Sequence, residues 1–323
     1  MAKSNGAAVQ ATPMQEKLRR LYVRFKKAGI LWKIILYVLL IALGFVFLYP
    51  ILYMLTNSLM GVDDLVNPTV QWLPTSLYFG NYERAFEVLQ FGSTLFVSVF
   101  LVLISSVLQT ASCALAGYAF ARYEFRGKTL FLALLLLVFL VPTQVMLVPK
   151  YLLFHEYGLL ESPLALFVPA ALGQGIKAPV FVLIFQQYFK SYPKSFDEAA
   201  QLDGAGRLRV FLRIAVPVCI PAFVVAFLFS FVWYWNETTQ AGTLLGQGEI
   251  FGLQLRTLPM RLTTFVEEYN RLFPSSDGSE VNRINESIRM AGTILTIAPL
   301  VVLYCVLQRQ FVEGIESSGI TGE

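Results

Sequence analysis

The chain has 323 residues, of which 56% are hydrophobic and only 14% charged, with a formal net charge of +4. Soluble domains usually carry roughly 25% charged residues, so this composition excludes a water-soluble globular protein and predicts a membrane protein. The small positive excess follows membrane topology and gives no reason to expect a nucleic-acid partner.

Runs of about 20 apolar residues cross a hydrocarbon core of roughly 30 Å as helices, because a helix satisfies its own backbone where water is absent. Six such runs occur, at 32–56, 93–119, 129–149, 163–189, 215–237 and 289–308. The expected fold is an all-α polytopic membrane protein of six transmembrane helices, with 32–308 as its membrane domain. Ahead of it, the basic tail 1–31 carries Lys3, Lys17, Arg19, Arg20, Arg24, Lys26 and Lys27, joined by Lys33, against the single acid Glu16. Lysine and arginine accumulate on the cytoplasmic side, so the N-terminus is expected inside. The first run is too long for a signal-peptide core and no small-residue cleavage site follows, so it reads as a retained signal anchor. An even number of crossings returns the tail 309–323 to the same side.

The segment 57–92 carries Asp63 and Asp64 and is expected outside. The second run contains Ser105, Ser106, Gln109, Thr110 and Ser112, so it faces protein or a water path rather than lipid. Arg122, Arg126 and Lys128 mark the next connection as cytoplasmic. There Gly127-Lys128-Thr129 matches the end of a phosphate loop, but Arg122 occupies the place of the first glycine and no strand precedes it, so no nucleotide site is expected. His155 is the only histidine, and Cys113, Cys219 and Cys305 lack metal-type spacing, so metal and disulfide frameworks are not expected and the cysteines read as small core residues. No nucleophile elbow or acid–base carboxylate pair stands out, so no catalytic residue is assigned. The central parts of the runs hold no ionisable side chain that could relay protons. Energy for uphill transport would have to come from another chain.

The connection 190–216 is charged and cytoplasmic by this topology, with Lys190, Lys194, Arg207, Arg209 and Arg213. Within it, Ser195 and Glu198 stand at the spacing of a capping box, which predicts a helix from Phe196. Asp203-Gly204 supplies a left-handed stop. Ala199 and Ala200 leave room for another backbone. A second helical pattern begins near Ala205, with Leu208, Phe211, Leu212 and Ala215 in phase, and Pro217 and Pro221 punctuate the entry to the fifth run. Two readings fit: a solvated helical hairpin, or a rigid knob that passes a soluble partner's motion into the spans beside it. Glu237 lies at the outer end of the fifth run after Trp233, Tyr234, Trp235 and Asn236, where an aromatic belt belongs. The outer segment 238–288 is long, with helical patterns near 256–272 and from about 279 into the sixth run; it reads as a tolerated insertion or as an enlarged dock for a solute-binding protein or a bulky substrate.

Glu198-Ala199-Ala200, Gly204 and Ile214-Ala215-Val216-Pro217 resemble the EAA motif of binding-protein-dependent ABC importer permeases, specifically the maltose-permease-like carbohydrate subunits. The resemblance covers nearly the whole chain: 115–128 (LAGYAFARYEFRGK), 141–159 (VPTQVMLVPKYLLFHEYGL), Trp235-Asn236-Glu237 and Gln310-Phe311-Val312-Glu313-Gly314-Ile315 are similar to further family elements in family order. Val216 stands where leucine is commoner, the last residues are Gly319-Ile320-Thr321-Gly322-Glu323 rather than a lysine-glycine pair, and the outer segment is longer than the family's. The resemblance implies a type I importer permease fold in the bacterial cytoplasmic (inner) membrane, paired with a second homologous permease, an ABC ATPase dimer and an extracytoplasmic solute-binding protein. It implies an ATPase-docking loop made by Glu198, Ala199, Ala200, Asp203, Gly204 and Pro217, and no cofactor on this chain, ATP and magnesium being held by the partner ATPase. Gln109, Thr110, Ser112, Gln144, Trp233 and Asn236 are candidates to line a carbohydrate path, with interhelical packing the alternative for each. A carrier or channel working without ATP, and a scaffold or receptor subunit, are the competing classes. Copurification of an ATPase and a second permease separates the importer from both.

Overall fold

A computed structural model describes residues 29–70, 72–274 and 284–320. The tail cations Lys3 through Lys27 lie outside these residues, as do 275–283 and the last three residues of the C-terminal tail.

The first apolar run forms α1, Ile30–Ser58, with Pro50 inside it. Short helices α2, Val62–Val66, and α3, Gly80–Val88, follow. The second run forms α4, Phe91–Arg122. At 1.5 Å per residue this helix is about 48 Å long, enough to join the two ends of the bundle. The third run does not form one helix: α5 covers Lys128–Leu140 and α6 Leu147–Glu156. Pro142 disfavours a helical residue before it, and Val141 accordingly leaves the helix at φ −71°, ψ 123°. The fourth run is also divided, into α7, Leu164–Ala171, and α8, Ala178–Ser191. Between them Gly173 takes φ +70°, and Gly175 passes so close to Gln109 and Tyr234 that a β-carbon would not fit.

Next come α9, Ser195–Leu202, α10, Arg207–Val210, a π-helical turn over Phe211–Ala215, and α11, Val216–Val218. The fifth run then bends by 82° at Cys219 before α12, Ile220–Asn236. Pro221 contributes no backbone N–H there, so the ladder cannot continue across the junction. The outer segment holds α13, Thr239–Leu245, a two-residue hairpin of β1, Glu249–Ile250, and β2, Leu253–Gln254, then α14, Leu258–Thr263, and α15, Phe265–Leu272. The patterns near 256–272 thus appear as two helices, whereas α13 and the hairpin carry no pattern that foretells them. The last helix, α16, runs over Glu286–Ile320, with Pro299 inside it, and takes in the sixth run and most of the tail 309–323.

Among the described residues three helices are long and apolar enough to cross a membrane, α1, α4 and α16, and a fourth if the pair bent at Cys219 is counted as one span. The third and fourth apolar runs expected as membrane helices are each divided in two, and the fifth is bent near its start, at Cys219.

Helix α4 is the axis of the molecule. It packs against α7, α8 and α12, and α12 packs in turn on α16. Gly117 permits the tightest of these contacts: a β-carbon there would lie 2.5 Å from Cβ of Phe185 and 2.9 Å from the Gln186 nitrogen and the Val182 oxygen. Helix α1 rests on α16 and exposes Tyr37, Ile41 and Phe47, side chains that suit hydrocarbon rather than water. Of the three cysteines, Cys113 and Cys219 are buried, but Cys305 is exposed on α16 and is not a core residue.

One end of α4 gathers α3, the hairpin, α14 and α15, where the Arg84 guanidinium donates to the Tyr269 hydroxyl at 2.9 Å. The other end gathers α9 and α10, where Arg207 lies 5.1 Å over the Tyr123 ring. These two ends are the candidate working surfaces.

Candidate coupling site

Helix α9 is framed locally by Pro193 and Gly204. Lys194 already has helical dihedrals, and the Glu198 amide donates to the Lys194 carbonyl at 3.1 Å. The capping box expected between Ser195 and Glu198 is therefore not formed: its amide is already bonded and Ser195 lies within the first turn. The C-terminal stop is formed. Gly204 takes φ +81°, its amide donates to Gln201 at 3.0 Å, and the Ala205 amide donates to Ala200 at 2.9 Å. This pair of bonds is a Schellman motif, which needs a residue tolerant of the left-handed region at Gly204.

The helix is attached to the bundle through one buried residue, Asp197, which lies directly before the EAA triplet. Asp197 Oδ2 lies 3.3 Å from Arg122 Nε, with both side chains almost fully buried. The angle is not that of a hydrogen bond, so Arg122 Nε has an ionic partner only. The guanidinium also donates from Nη2 to the Tyr192 carbonyl at 2.8 Å and lies 3.6 Å over the Tyr192 ring, while the Tyr192 hydroxyl donates to Asp197 Oδ1 at 2.7 Å. Three side chains thus close a triangle between the end of α4, the 190–194 connection and α9. Burial, and then the bond to Asp197, push the Tyr192 phenol above its ordinary pKa, so it keeps its proton to donate.

Beneath the triangle lies an aromatic stack. Tyr118 meets Phe189 at 5.3 Å and Phe211 at 5.0 Å, and Phe189 meets Phe223 at 6.3 Å. These rings join α4, α8, the π-turn and α12 into one packed block. Close-packed interiors resist compression and transmit displacement, so a force on α9 reaches both neighbouring segments.

Asp197 faces inward; the motif residues face outward. Glu198, Ala199, Asp203, Gly204 and Pro217 are exposed or partly so, and Ala200 is half-buried. Leu202 is 89% exposed, and Phe196, Leu208 and Leu212 are also exposed. Large apolar side chains gathered on a polar loop are a feature of interaction surfaces. Phe211 and Ala215 are buried beneath them, so the second helical pattern divides into an inner and an outer face.

The path candidates do not form one group. Gln109 is fully buried: Nε2 donates to the Ile176 carbonyl at 2.8 Å, and Oε1 accepts from the Tyr234 hydroxyl at 2.9 Å. The Thr110 hydroxyl donates to Ser106 at 2.7 Å, and the Ser112 hydroxyl to Ala170 at 2.6 Å. Trp233 is half-buried against Phe181 at 5.2 Å. Gln144 and Asn236 are exposed, the latter donating to the Val232 carbonyl at 2.8 Å. At the phosphate-loop fragment, Lys128 Nζ is committed to the Tyr123 carbonyl at 3.0 Å and to Glu124 at 2.9 Å.

Sequence reasoning missed Asp197, Arg122 and Tyr192 as a unit. A signal was present. No charge occurs from Val88 to Ala121, so Arg122 is a cation closing a long uncharged helix and in need of an acid, but the sequence offers Glu124 nearby and does not single out Asp197.

The architecture is that of a polytopic helical membrane subunit that holds a short helix rigidly at one end. The chain belongs to the family described as binding-protein-dependent transport system inner membrane component, whose profile matches residues 113–317. It is therefore an inner-membrane permease subunit of ABC importers, not itself an enzyme, with ATP hydrolysis in a partner. It is 26% identical to the arabinooligosaccharides transport system permease protein AraQ of Halalkalibacterium halodurans, over 88% of this chain and 96% of that one. It is 30% identical to a probable ABC transporter permease, YurM of Bacillus subtilis (90% and 87% covered), and 29% identical to the maltodextrin permease MalD of Streptococcus pneumoniae (88% and 94%). Its fold matches a chain of a bacterial ABC transporter involved in the import of alginate, an acidic polysaccharide, with a TM-score of 0.67 at 21% identity, covering 87% of this chain and 96% of that chain.

Proposed function

We propose that this chain is one of two homologous permease subunits of an importer for sugars or oligosaccharides, crossing the membrane six times with both termini in the cytoplasm. The observation that carries the reading is a protruding helix held by a buried ion pair. In this account α9 seats in a cleft of an ATPase subunit, with Glu198 as the anchor, Ala199 and Ala200 giving a close fit, and Leu202 and Leu208 covering the rim. Asp203 and Gly204 end the helix, and Pro217 begins the rigid entry to α12. The ATPase dimer binds ATP with magnesium and closes; α9 follows, and the aromatic block carries the movement into α4, α8 and α12. A ligand shifts conformations only as far as it distinguishes them, so a rigid attachment of α9 is required for ATP to do so.

The carbohydrate assignment rests on the relatives' substrates. Gln144 and Asn236, with exposed amides, and the indole of Trp233 are the candidates we retain for the path. Gln109, Thr110 and Ser112 are assigned to packing, because their polar atoms bond to neighbouring helices or to their own. The test is reconstitution in liposomes of this chain with its partner permease and ATPase, in the presence of the solute-binding protein. ATP-dependent accumulation of a sugar is expected only from the full assembly. Accumulation driven by this polypeptide alone would overturn the reading.

A further inference from the structure

At the end of α4 opposite the coupling site lies a cavity of about 560 Å³ lined by Gln90, Gln254, Arg256, Arg261, Glu268 and Arg271 among others. Its size is within the range of small-ligand pockets, roughly 300–1,000 Å³. The charges in it are unbalanced. Arg271 and Glu268 neutralise one another at 2.6 Å. Arg256 and Arg261 have no carboxylate within ion-pair distance among the described residues, and the cavity's second acid, Glu249, is exposed and pairs with neither.

Arg261 is 6% exposed, and its Nε is buried with no hydrogen-bond partner. Its Nη2 donates to Gln90 Oε1 at 2.9 Å and Gln254 Oε1 at 3.3 Å, contacts that orient the guanidinium without neutralising it. Burial, and then the nearby Arg256, lower its pKa from the ordinary value, against a smaller opposing effect of Glu268, whose carboxylate is itself paired with Arg271. The first turns of α4 line the same cavity through Ser93 and Thr94, and a helix N-terminus adds positive partial charge. Gln90, which starts that helix, is held at φ +45°, a left-handed conformation that is uncommon for a non-glycine residue.

We propose that this cavity binds an acidic saccharide of one or two rings, its carboxylate received by Arg261 and Arg256 and its hydroxyls by Gln90, Gln254, Ser93 and Thr94. The forked guanidinium donors match a carboxylate geometrically. The lining includes no aromatic ring, so the ligand is recognised by charge and hydroxyl groups rather than by stacking. The site rests on the carbohydrate reading above but is separable from it, since a neutral-sugar importer could lack it.

The test uses the assembled importer in nanodiscs, titrated with glucuronate, galacturonate, glucose and acetate and followed by ligand-observed NMR. Saturable binding of a uronate is expected, with glucose and acetate at least tenfold weaker. Arg256→Gln and Arg261→Gln should each weaken uronate binding at least tenfold; if Arg261→Gln does not assemble, Arg256→Gln carries the test, because Arg256 makes no ion pair among the described residues. No uronate binding, glucose or acetate binding as well as uronate, or unchanged affinity in Arg256→Gln would overturn the proposal. So would loss of binding-protein-stimulated ATPase activity in Arg256→Gln with uronate affinity intact, a result that would point to a protein carboxylate as the occupant. Persistent ATP-dependent uptake of a neutral sugar in any of these cases would leave the importer reading standing and sink only this site.

Discussion

Arg122, the last residue of α4, holds Asp197 of α9 at 3.3 Å in a setting that excludes water from both side chains. Removing one partner of such a pair strands a buried charge, at a cost of about 3–5 kcal/mol. Asp197→Ala and Arg122→Ala should each lower the thermal stability of the assembled importer and reduce sugar accumulated per ATP hydrolysed. The double variant should lose less than the sum of the singles, because contacting residues are not additive. Arg122→Lys should also impair coupling, since a lysine retains charge but not the planar stack on Tyr192. An unchanged transport-to-hydrolysis ratio in all four variants would show that the triangle is not part of the coupling.

Gly204 tests the shape of α9 separately from its attachment. Nothing lies within 4 Å of the place a β-carbon would take there, yet its φ is +81°. A substitution therefore acts through the backbone, at about 1–2 kcal/mol for an L-residue in the left-handed region. Gly204→Pro is more severe, because proline fixes φ near −65° and removes the amide bonded to Gln201. Expected are normal membrane insertion and substrate-independent ATP hydrolysis with loss of uptake. Glu198→Lys, at an exposed position, should leave stability alone and give the same uncoupling. Full uptake in both variants would remove α9 from the docking role.

The apolar runs foretold α1, α4 and α16 to within a few residues, save that α16 continues through the tail. In the third and fourth runs they did not mark the interruptions, because hydropathy measures solubility in lipid and does not register where a helical ladder breaks. The breaks had visible causes in Pro142, Gly173 and Pro221. At the coupling site the stop at Gly204 could be read from Asp203-Gly204, whereas the start could not, because Lys194 enters the helix ahead of Ser195. Asp197 escaped notice for a different reason: an acid in a polar connection is ordinarily solvated, and only the fold brings Arg122 beneath it. Cys305 was misplaced because an apolar sequence position on α16 can face outward as readily as inward.

Gly117 fixes the distance between α4 and α8. Any β-carbon there meets backbone atoms of α8 as well as Phe185, so the helices must separate. Overpacking of this kind costs about 1–3 kcal/mol. Gly117→Val should lower the melting temperature in detergent and loosen the aromatic block, whereas Gly92→Val, where nothing lies within 4 Å, should not strain any contact. Equal melting temperatures for wild type and Gly117→Val would refute the close approach.

Gln109 and Asn236 separate packing from path. Gln109 bridges the Ile176 carbonyl and the Tyr234 hydroxyl inside the bundle, so Gln109→Ala leaves both without that partner. A buried group so stranded costs about 1–3 kcal/mol. The variant should therefore be less stable, with the order of preference among sugars unchanged. Tyr234→Phe should act in the same direction, since it removes the donor to Gln109 and the acceptor for the Ile176 amide. Asn236→Ala, at an exposed position whose amide bonds only within its own helix, should do the reverse: stability held and sugar preference altered. Competition uptake with a panel of oligosaccharides, run beside thermal unfolding of the same preparations, reads both quantities. A changed sugar preference in Gln109→Ala with normal stability would place that residue on the path instead.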